Sequence, residues 1–186
     1  MKSSLPFFYI IVILLAIGSS RASAQLIPWR ADYLLSWGDF QGPCPHNGYA
    51  AECDYDYLYV PKCGRDGTIT VTVTCSFNKQ KAWKDPSVKL TLQLLLHEQL
   101  HFYAAETYAR KMRQAFSNYT ASHKRSAGMD NDLKQIFNKY MKEGEDYQAE
   151  YDKATNHGLI KEAQETWRKK IVADLQELGA FEVKRA

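Results

Sequence analysis

The chain has 186 residues, with 24 lysines and arginines against 21 aspartates and glutamates. This near balance of charge argues against a nucleic-acid or membrane-surface partner. Hydrophobic residues make up 45% of the chain and charged residues 24%, which is typical of a folded globular protein and excludes an intrinsically disordered one. We find no internal repeat and no low-complexity segment.

The first 24 residues have the pattern of a secretory signal peptide. Lys2 provides a positive charge, Leu5–Ile17 is apolar, and Ala22–Ala24 reads Ala-Ser-Ala, a small-residue cleavage site. The apolar segment is short for a membrane anchor. We therefore expect cleavage after Ala24 and a secreted or periplasmic product without a stable membrane span. Residues 25–186 are long enough for the single domain that we predict.

The first half of this domain, about residues 25–80, has β-strand patterns. Ala31–Phe40 and Tyr55–Val60 are strand-like, and Thr68–Phe77 alternates between hydroxyl and apolar residues. Such alternation is typical of a strand with one buried face. Gly64–Gly67 lies between the last two segments and predicts a hairpin turn. We expect a small antiparallel sheet.

All four cysteines of the chain lie in this β-rich half, at Cys44, Cys53, Cys63 and Cys75. An even number of cysteines in an exported protein suggests two disulfides. Three pairings are possible, and the sequence does not choose between them. A metal site with four cysteine ligands is the alternative, but the chain has no CxxC pair to support it.

The second half, residues 87–180, predicts three helices. They are expected at about Val88–Phe116, Asn131–Thr155 and Leu159–Leu178, with a polar loop over Ser117–Asp130. The predicted fold class is therefore α+β, with a small antiparallel sheet packed against three main helices.

Residues 97–101 read His-Glu-Gln-Leu-His, which is the HExxH pattern. On a helix, His97 and His101 project from one face about 40° apart, so both imidazoles can bind one Zn²⁺. Glu98 can then reach a zinc-bound water as a general base. Two buried histidines without a metal are the alternative interpretation, but the glutamate between them favours the metal site.

The helical wheel places both histidines in a mainly apolar stripe, with Glu98 on its flank. The opposite side also carries large apolar residues, among them Leu92 and Leu96. A helix that is apolar nearly all round is expected to be a buried central helix.

A catalytic zinc site needs a third protein ligand, and His157 is the favoured candidate. It lies in the segment Asn156–Gly158, where a helix end can direct an imidazole into a cleft. Glu106 falls about 180° from His97 on the wheel, and an ion pair with Arg110 explains it more simply. Glu150, on the second predicted helix, remains possible.

Further segments accompany the pentapeptide along the chain. They are Trp37–Phe40, Ala82-Trp83, Leu95–Phe102, Glu106, Ala109-Arg110, Tyr151-Asp152, Thr155–Gly158, Gln164 and Trp167. Together they resemble the bacterial family catalogued as domain of unknown function 922, which is described as predicted secreted zinc-dependent proteases. The HEQxHF and TxHG segments are the most specific.

The resemblance implies a zinc peptidase-like site in a cell-envelope setting. It adds weight to His157, because TxHG belongs to the family pattern, and slightly to Glu106. It supplies no substrate, because the family is poorly characterised. The four cysteines are not part of the pattern.

The predicted function is a secreted or periplasmic zinc-dependent peptidase with a zincin-like arrangement. Zn²⁺ is held by His97, His101 and His157, and Glu98 is the general base for attack of water on a peptide bond. The alternatives are a zinc amidase that acts on cell-wall peptides and a non-catalytic envelope binding protein with a structural or vestigial zinc site. The sequence leaves the cleavage preference and the oligomeric state open.

Overall fold

The computed structural model describes residues 25–183. Three strands, β1 (Leu26–Pro28), β3 (Tyr55–Cys63) and β4 (Ile69–Asn78), form an antiparallel sheet in the order β1-β4-β3. Two short strands, β2 (Ala51–Glu52) and β5 (Trp83–Lys84), form a second antiparallel pair. The predicted signal peptide, residues 1–24, lies outside the described residues.

Strands β3 and β4 form the hairpin that the sequence predicts, with Cys63 opposite Ile69 and Tyr57 opposite Cys75. The turn is closed by Gly67, whose N–H donates to the carbonyl of Gly64 at 3.1 Å. Strand β4 alternates as expected from Ile69 to Cys75, whereas its last four residues, Cys75–Asn78, are all buried. Ile69, Val73, Cys75 and Phe77 pack in the core with residues of α1.

The expectation of a strand at Ala31–Phe40 is wrong, since this segment consists of turns and irregular backbone. Two of its backbone donors are bound by side chains instead of a neighbouring strand. Leu35 N donates to Gln99 Oε1 at 2.6 Å, and Ser36 N donates to Asp39 Oδ2 at 2.9 Å. Leu35 and Phe40 are buried without forming a ladder, whereas Leu34 is exposed, and β1 provides the third strand of the sheet.

Three helices follow, as predicted: α1 (Leu92–Ser122), α2 (Met129–Thr155) and α3 (Lys161–Glu177), and a short 3₁₀ turn at Gly179–Phe181 ends the described chain. Helix α1 begins later than expected because Thr91 caps it, its Oγ1 accepting from Leu94 N at 3.1 Å. It also continues six residues beyond Phe116, through part of the segment predicted as a loop. None of the described helices is long and apolar enough to cross a membrane.

Helix α1 contacts both the sheet and the other two helices. One group of buried side chains joins α1 to β4, and it includes Val73, Cys75, Phe77, Phe102, Ala109, Met112 and Phe116. A second group joins α1 to α2 and α3, and it includes Leu100, Ala104, Tyr108, Tyr147, Tyr151, Trp167 and Ile171. The fold is therefore α+β with three helices and a small antiparallel sheet.

The first turns of α1 are not buried all round, contrary to the expectation. Leu92 is 70% exposed and Leu96 is 51% exposed. From Leu100 to Phe116 nearly every apolar residue of α1 is buried, either against the sheet or against α2 and α3, but this face of the first turns is not covered. The early part of α1 therefore borders open solvent on one side.

The two predicted disulfides are not formed among the described residues, where all four cysteines are free thiols. Cys75 is a buried residue of strand β4. Cys63 is the last residue of β3, next to the hairpin turn, and its sulfur lies 3.8 Å from that of Met129. Cys44 lies in a loop, 3.7 Å from His46 Nδ1. The four cysteines thus lie at separate places in the β-rich half, and the neighbours of Cys44 and Cys63 are His46 and Met129.

Candidate metal centre

His97 and His101 lie one turn apart on α1, with their ring planes nearly perpendicular and their Nε2 atoms directed toward each other. The two Nε2 atoms are 3.1 Å apart. His97 is 2% exposed, and only 12% of the His101 side chain is exposed. The i, i+4 spacing therefore produces the expected pair of imidazoles, in a largely buried setting.

Asp152, on helix α2, faces both histidines. Its Oδ1 lies 3.0 Å from His97 Nε2 and 2.9 Å from His101 Nε2. Two nitrogen ligands of a tetrahedral zinc are separated by about 3.3 Å, given bonds of about 2.0 Å. Packing of α2 on α1 thus assembles three ligand atoms at nearly the separation that a small divalent cation requires.

Two glutamines set the protonation of the imidazoles. Gln148 Nε2 donates to the carbonyl of His101 at 3.0 Å, which directs Gln148 Oε1 to His101 Nδ1 at 2.6 Å. Gln164 Oε1 lies 3.1 Å from His97 Nδ1. Because an amide oxygen can only accept, each Nδ1 carries the proton of its neutral ring. Both Nε2 atoms are then left with lone pairs.

Three acceptors therefore converge on one point, namely two imidazole nitrogens and one carboxylate oxygen. Acceptors at about 3 Å from one another repel unless a proton or a cation lies between them. Metal-binding histidines commonly donate their second N–H to an oxygen acceptor, as these two do. Two imidazole nitrogens and one carboxylate oxygen form a donor set that fits a transition metal ion such as Zn²⁺.

The pKa values reflect the same crowding of acceptors. Burial opposes ionisation of Asp152, but when both rings also carry a proton on Nε2, the hydrogen bonds from His101 and His97 outweigh burial and hold the pKa of Asp152 well below its ordinary value. Burial also disfavours a charged His101, yet Asp152 and Glu98 raise the pKa of that imidazole above its ordinary value. The cluster thus attracts positive charge, which protons or a metal ion can supply.

Glu98 lies beside the two histidines and is 3% exposed. Its Oε2 accepts a hydrogen bond from the backbone N–H of Cys53 at 2.8 Å. Burial raises the pKa of Glu98, an effect that the neighbouring histidines and the Cys53 N–H only partly oppose. A carboxylate with a raised pKa, fixed in place by the chain between β2 and β3, is chemically suited to proton transfer.

An open cavity of about 1010 Å³ is lined by His97, Glu98, His101 and Asp152. Tyr55 and Gln148 line it as well, and β2 forms part of its wall. The cavity provides room for a substrate of several residues next to the His97–His101–Asp152 cluster.

His157 also lines the cavity, but its position differs from that of the other candidates. Its Nδ1 lies 3.6 Å from Asp152 Oδ1, and 47% of its side chain is exposed. The group of atoms within 4.8 Å of one another consists of His97, His101 and Asp152. His157 as the third ligand stays a prediction, and Asp152 is a second candidate for that role.

The TxHG segment has a clear steric function beside the metal centre. Asn156 and His157 have φ angles of 47° and 53°, and Gly158 has a φ of 79°. A Cβ atom on Gly158 would lie 2.9 Å from Cβ and Cγ of His97. Glycine at 158 therefore allows this left-handed turn to pack directly on the first histidine.

Glu106 and Glu150 are placed away from the cluster. Glu106 is 1% exposed and accepts from Arg110 Nε at 3.1 Å and from Arg113 Nη1 at 2.7 Å. The expected ion pair with Arg110 is confirmed, and Arg113 completes it. Glu150 is exposed and does not line the cavity.

Asp152 and Thr155 lie near each other on α2 but have different contacts. Asp152 is in direct contact with both imidazole rings, whereas Thr155 stabilises the turn by accepting from Gly158 N at 3.2 Å. The hydroxyl of Tyr151 donates to Gln164 at 3.0 Å, and its ring stacks on His97.

Gln148 was missed by sequence reasoning. It lies four residues before Asp152 on the same face of α2, and this i, i+4 spacing from an acid was the available signal.

Comparison with known proteins identifies the family. A family model described as "Bacterial protein of unknown function (DUF922)" matches residues 42–158, which is more than half of the 186 residues. Neither the curated proteins nor the solved structures gave a match. The matched range contains His97, Glu98, His101, Asp152 and His157, and the chain belongs to the DUF922 family of bacterial proteins.

Proposed function

We propose that this protein is an exported metal-dependent hydrolase that cleaves peptide bonds with zinc as its cofactor. The observation that carries the proposal is the convergence of His97 Nε2, His101 Nε2 and Asp152 Oδ1 beside a buried glutamate. The zincin-like assignment rests on this arrangement together with the HExxH pattern.

Residues His97, His101 and Asp152 would hold the zinc ion. When bound, zinc supplies a Lewis acid that lowers the pKa of a water molecule and polarises a carbonyl group. Three protein ligands leave a coordination position open, as catalytic zinc sites do and most structural ones do not. The His157 prediction remains as the rival third ligand, because its Nδ1 is 3.6 Å from the same carboxylate oxygen.

Glu98 performs the proton transfers. Its carboxylate takes a proton from the attacking water and then returns that proton to the leaving amine. The Cys53 N–H holds one carboxylate oxygen at 2.8 Å, which leaves the other available for the water. The two glutamines keep the imidazoles oriented and the Nδ1 protons in place, so that the ligand atoms stay directed at the metal.

Strand β2 supports a peptide as the substrate. It is hydrogen-bonded to β5 on one edge, and its residues Ala51 and Glu52 line the cavity. No strand of residues 25–183 pairs with its other edge. An extended peptide could add to that edge, as in other cases of recognition by strand addition, and this would place a backbone carbonyl near Glu98.

The test is hydrolysis by the zinc-loaded protein, assayed in parallel on casein and on peptidoglycan fragments. We expect casein cleavage that a chelator abolishes and that added zinc restores. Cleavage of peptidoglycan fragments alone would identify a cell-wall amidase and contradict the peptidase assignment. Activity on neither substrate would favour a binding protein with a non-catalytic site.

The proposed setting is the cell envelope or the medium, with removal of residues 1–24. Mass spectrometry of protein recovered from the periplasm or medium should find Gln25 as the first residue. An intact Met1 on the exported protein would contradict this part of the proposal.

A further inference from the structure

A second group of metal-binding side chains lies outside the site described above. Cys44 Sγ lies 3.7 Å from His46 Nδ1, and Asp85 Oδ2 lies 3.8 Å from the same nitrogen. All three ligand atoms lie within 4.8 Å of one another. They belong to two separate segments, the loop that leads to β2 and the residue that follows β5.

We propose that Cys44, His46 and Asp85 form a second zinc-binding site, which fastens the loop before β2 to the end of β5. In a tetrahedral zinc site, bonds of about 2.3 Å to sulfur and about 2.0 Å to nitrogen and oxygen separate sulfur from nitrogen by about 3.5 Å and nitrogen from oxygen by about 3.3 Å. The observed distances of 3.7 and 3.8 Å need only small adjustments.

The geometry distinguishes a metal site from a catalytic relay. In a nucleophile–histidine–acid triad, the acid binds one ring nitrogen and the nucleophile binds the other. Here the thiol and the carboxylate both face Nδ1 of His46. The carboxylate therefore cannot orient the ring while the ring takes a proton from the thiol, whereas one cation can accept all three groups at once.

The backbone around the three residues is already fixed. Pro43 and Pro45 flank Cys44 and restrict its conformation. Gly42 N donates to the carbonyl of Ala82 at 2.8 Å, and a Cβ on Gly42 would come within 2.6 Å of the carbonyl oxygen of Lys81. The start of the loop is thus held tightly against the chain that enters β5.

The carboxylate and the other end of the loop are fixed as well. Asp85 Oδ1 accepts from Ser87 N at 2.8 Å and from Ser87 Oγ at 2.6 Å, which leaves Oδ2 directed toward His46. Asp85 N donates to the carbonyl of Ala50 at 2.8 Å. Both ends of the loop are therefore pinned, and the proposed site would join its middle to the same strand.

The donor set indicates which metal would bind. A thiolate with an imidazole selects zinc-like ions over magnesium or calcium, which prefer oxygen ligands alone. The His46 side chain is 70% exposed, so water can complete the coordination and the ion should be removable by a chelator. Because the loop continues to Tyr49, whose ring packs against His157 at 4.9 Å, the site would also steady one wall of the large cavity.

Cobalt substitution tests this proposal separately from the proposed function. Cobalt bound to a thiolate gives a sulfur-to-metal charge-transfer band in the near ultraviolet, and the His97–His101–Asp152 cluster contains no sulfur. We expect reduced, metal-free wild-type protein to bind two cobalt ions and to show this band. Cys44→Ser should lose the band and bind one ion fewer, whereas Cys63→Ser, which alters an exposed cysteine outside the cluster, should retain both.

The remaining ligands give independent variants. His46→Ala and Asp85→Asn should each weaken the cobalt affinity of the thiolate site by at least about tenfold. The proposal is overturned if wild-type protein shows no charge-transfer band, if the band survives in Cys44→Ser, or if Cys44 of the exported protein is found in a disulfide. Loss of hydrolase activity has no bearing on any of these outcomes.

Discussion

Helix α1 carries two buried polar clusters about two turns apart, and they differ in how their charges are balanced. Glu106 is surrounded by Arg110 and Arg113, which donate hydrogen bonds to both of its oxygens. The cluster of His97, His101 and Asp152 brings acceptors together. Among the described residues, no arginine or lysine forms an ion pair with Asp152 to balance its charge. Both clusters lie largely inside the protein, where unbalanced charge is costly.

The difference separates a structural cluster from a binding site. A carboxylate paired with two guanidinium groups is complete within the protein, and its removal should affect folding. A group of convergent acceptors is complete only when a cation binds, so its alteration should affect ligand binding and chemistry. Four substitutions test this contrast.

Glu98→Gln should lower the rate of peptide hydrolysis by about 10²–10⁴-fold, because glutamine cannot transfer the proton. Zinc affinity should stay nearly unchanged. The measurements are kcat on a peptide substrate and zinc affinity by calorimetry, with Glu145→Gln as the matched control, since Glu145 is an exposed acid that lines the same cavity. Wild-type rates in Glu98→Gln would remove Glu98 from the mechanism.

Glu106→Gln should lower the free energy of unfolding by about 3–5 kcal/mol, because two buried guanidinium groups lose the carboxylate that they share and only Arg110 keeps another one, that of Glu182. Folded protein should still bind zinc with normal affinity. Urea denaturation measures the stability change, and Glu143→Gln, in an exposed pair with Lys139, should change it by less than about 1 kcal/mol. Loss of zinc binding by folded Glu106→Gln protein would contradict the proposed division between the clusters.

Asp152→Asn should weaken zinc binding by more than about 100-fold, because even residues that only orient a metal ligand contribute 10–100-fold. The metal-free variant should remain folded, in contrast to Glu106→Gln. Calorimetry in a Cys44→Ser background would exclude zinc bound at the second proposed site. His157→Ala provides the comparison, and a greater loss of affinity in that variant would favour the ligand predicted from the sequence.

Gly158→Ala should have the smallest of these effects, about a tenfold loss of zinc affinity. The new Cβ would lie 2.9 Å from the side chain of His97 and would displace that ring from its position beside His101 and Asp152. Gly128→Ala is the matched control, because a Cβ there meets no atom within 4 Å. Equal zinc affinities in the two variants would mean that the turn does not position His97.

Local sequence patterns predicted the parts of the site that depend on one helix. His97, Glu98 and His101 come together because of helical periodicity alone, and the pairing of Glu106 with Arg110 follows from the same spacing. Asp152 could not be identified as a ligand in this way. It lies 51 residues beyond His101 in the chain, and the packing of α2 on α1 decides which of several acids on that helix faces the histidines.

The errors in the predicted fold have related causes. Ala31–Phe40 has the alternation of a strand, but Gln99 and Asp39 bind its backbone and replace the ladder. Residues 117–122 are mostly polar, yet they continue α1, where Tyr119 packs against the core and donates to Asp132 on α2. The cysteine count suggested disulfides, yet the fold places Cys44 beside His46 and Asp85. In each case a tertiary contact overrides the local pattern.

Anomalous diffraction at the zinc edge would show directly whether the His97–His101–Asp152 cluster is a metal site. Crystals of zinc-loaded protein should show an anomalous peak at about 2.0–2.2 Å from His97 Nε2, His101 Nε2 and Asp152 Oδ1. A zinc-loaded crystal without a peak between these three atoms would mean that the cluster does not bind zinc.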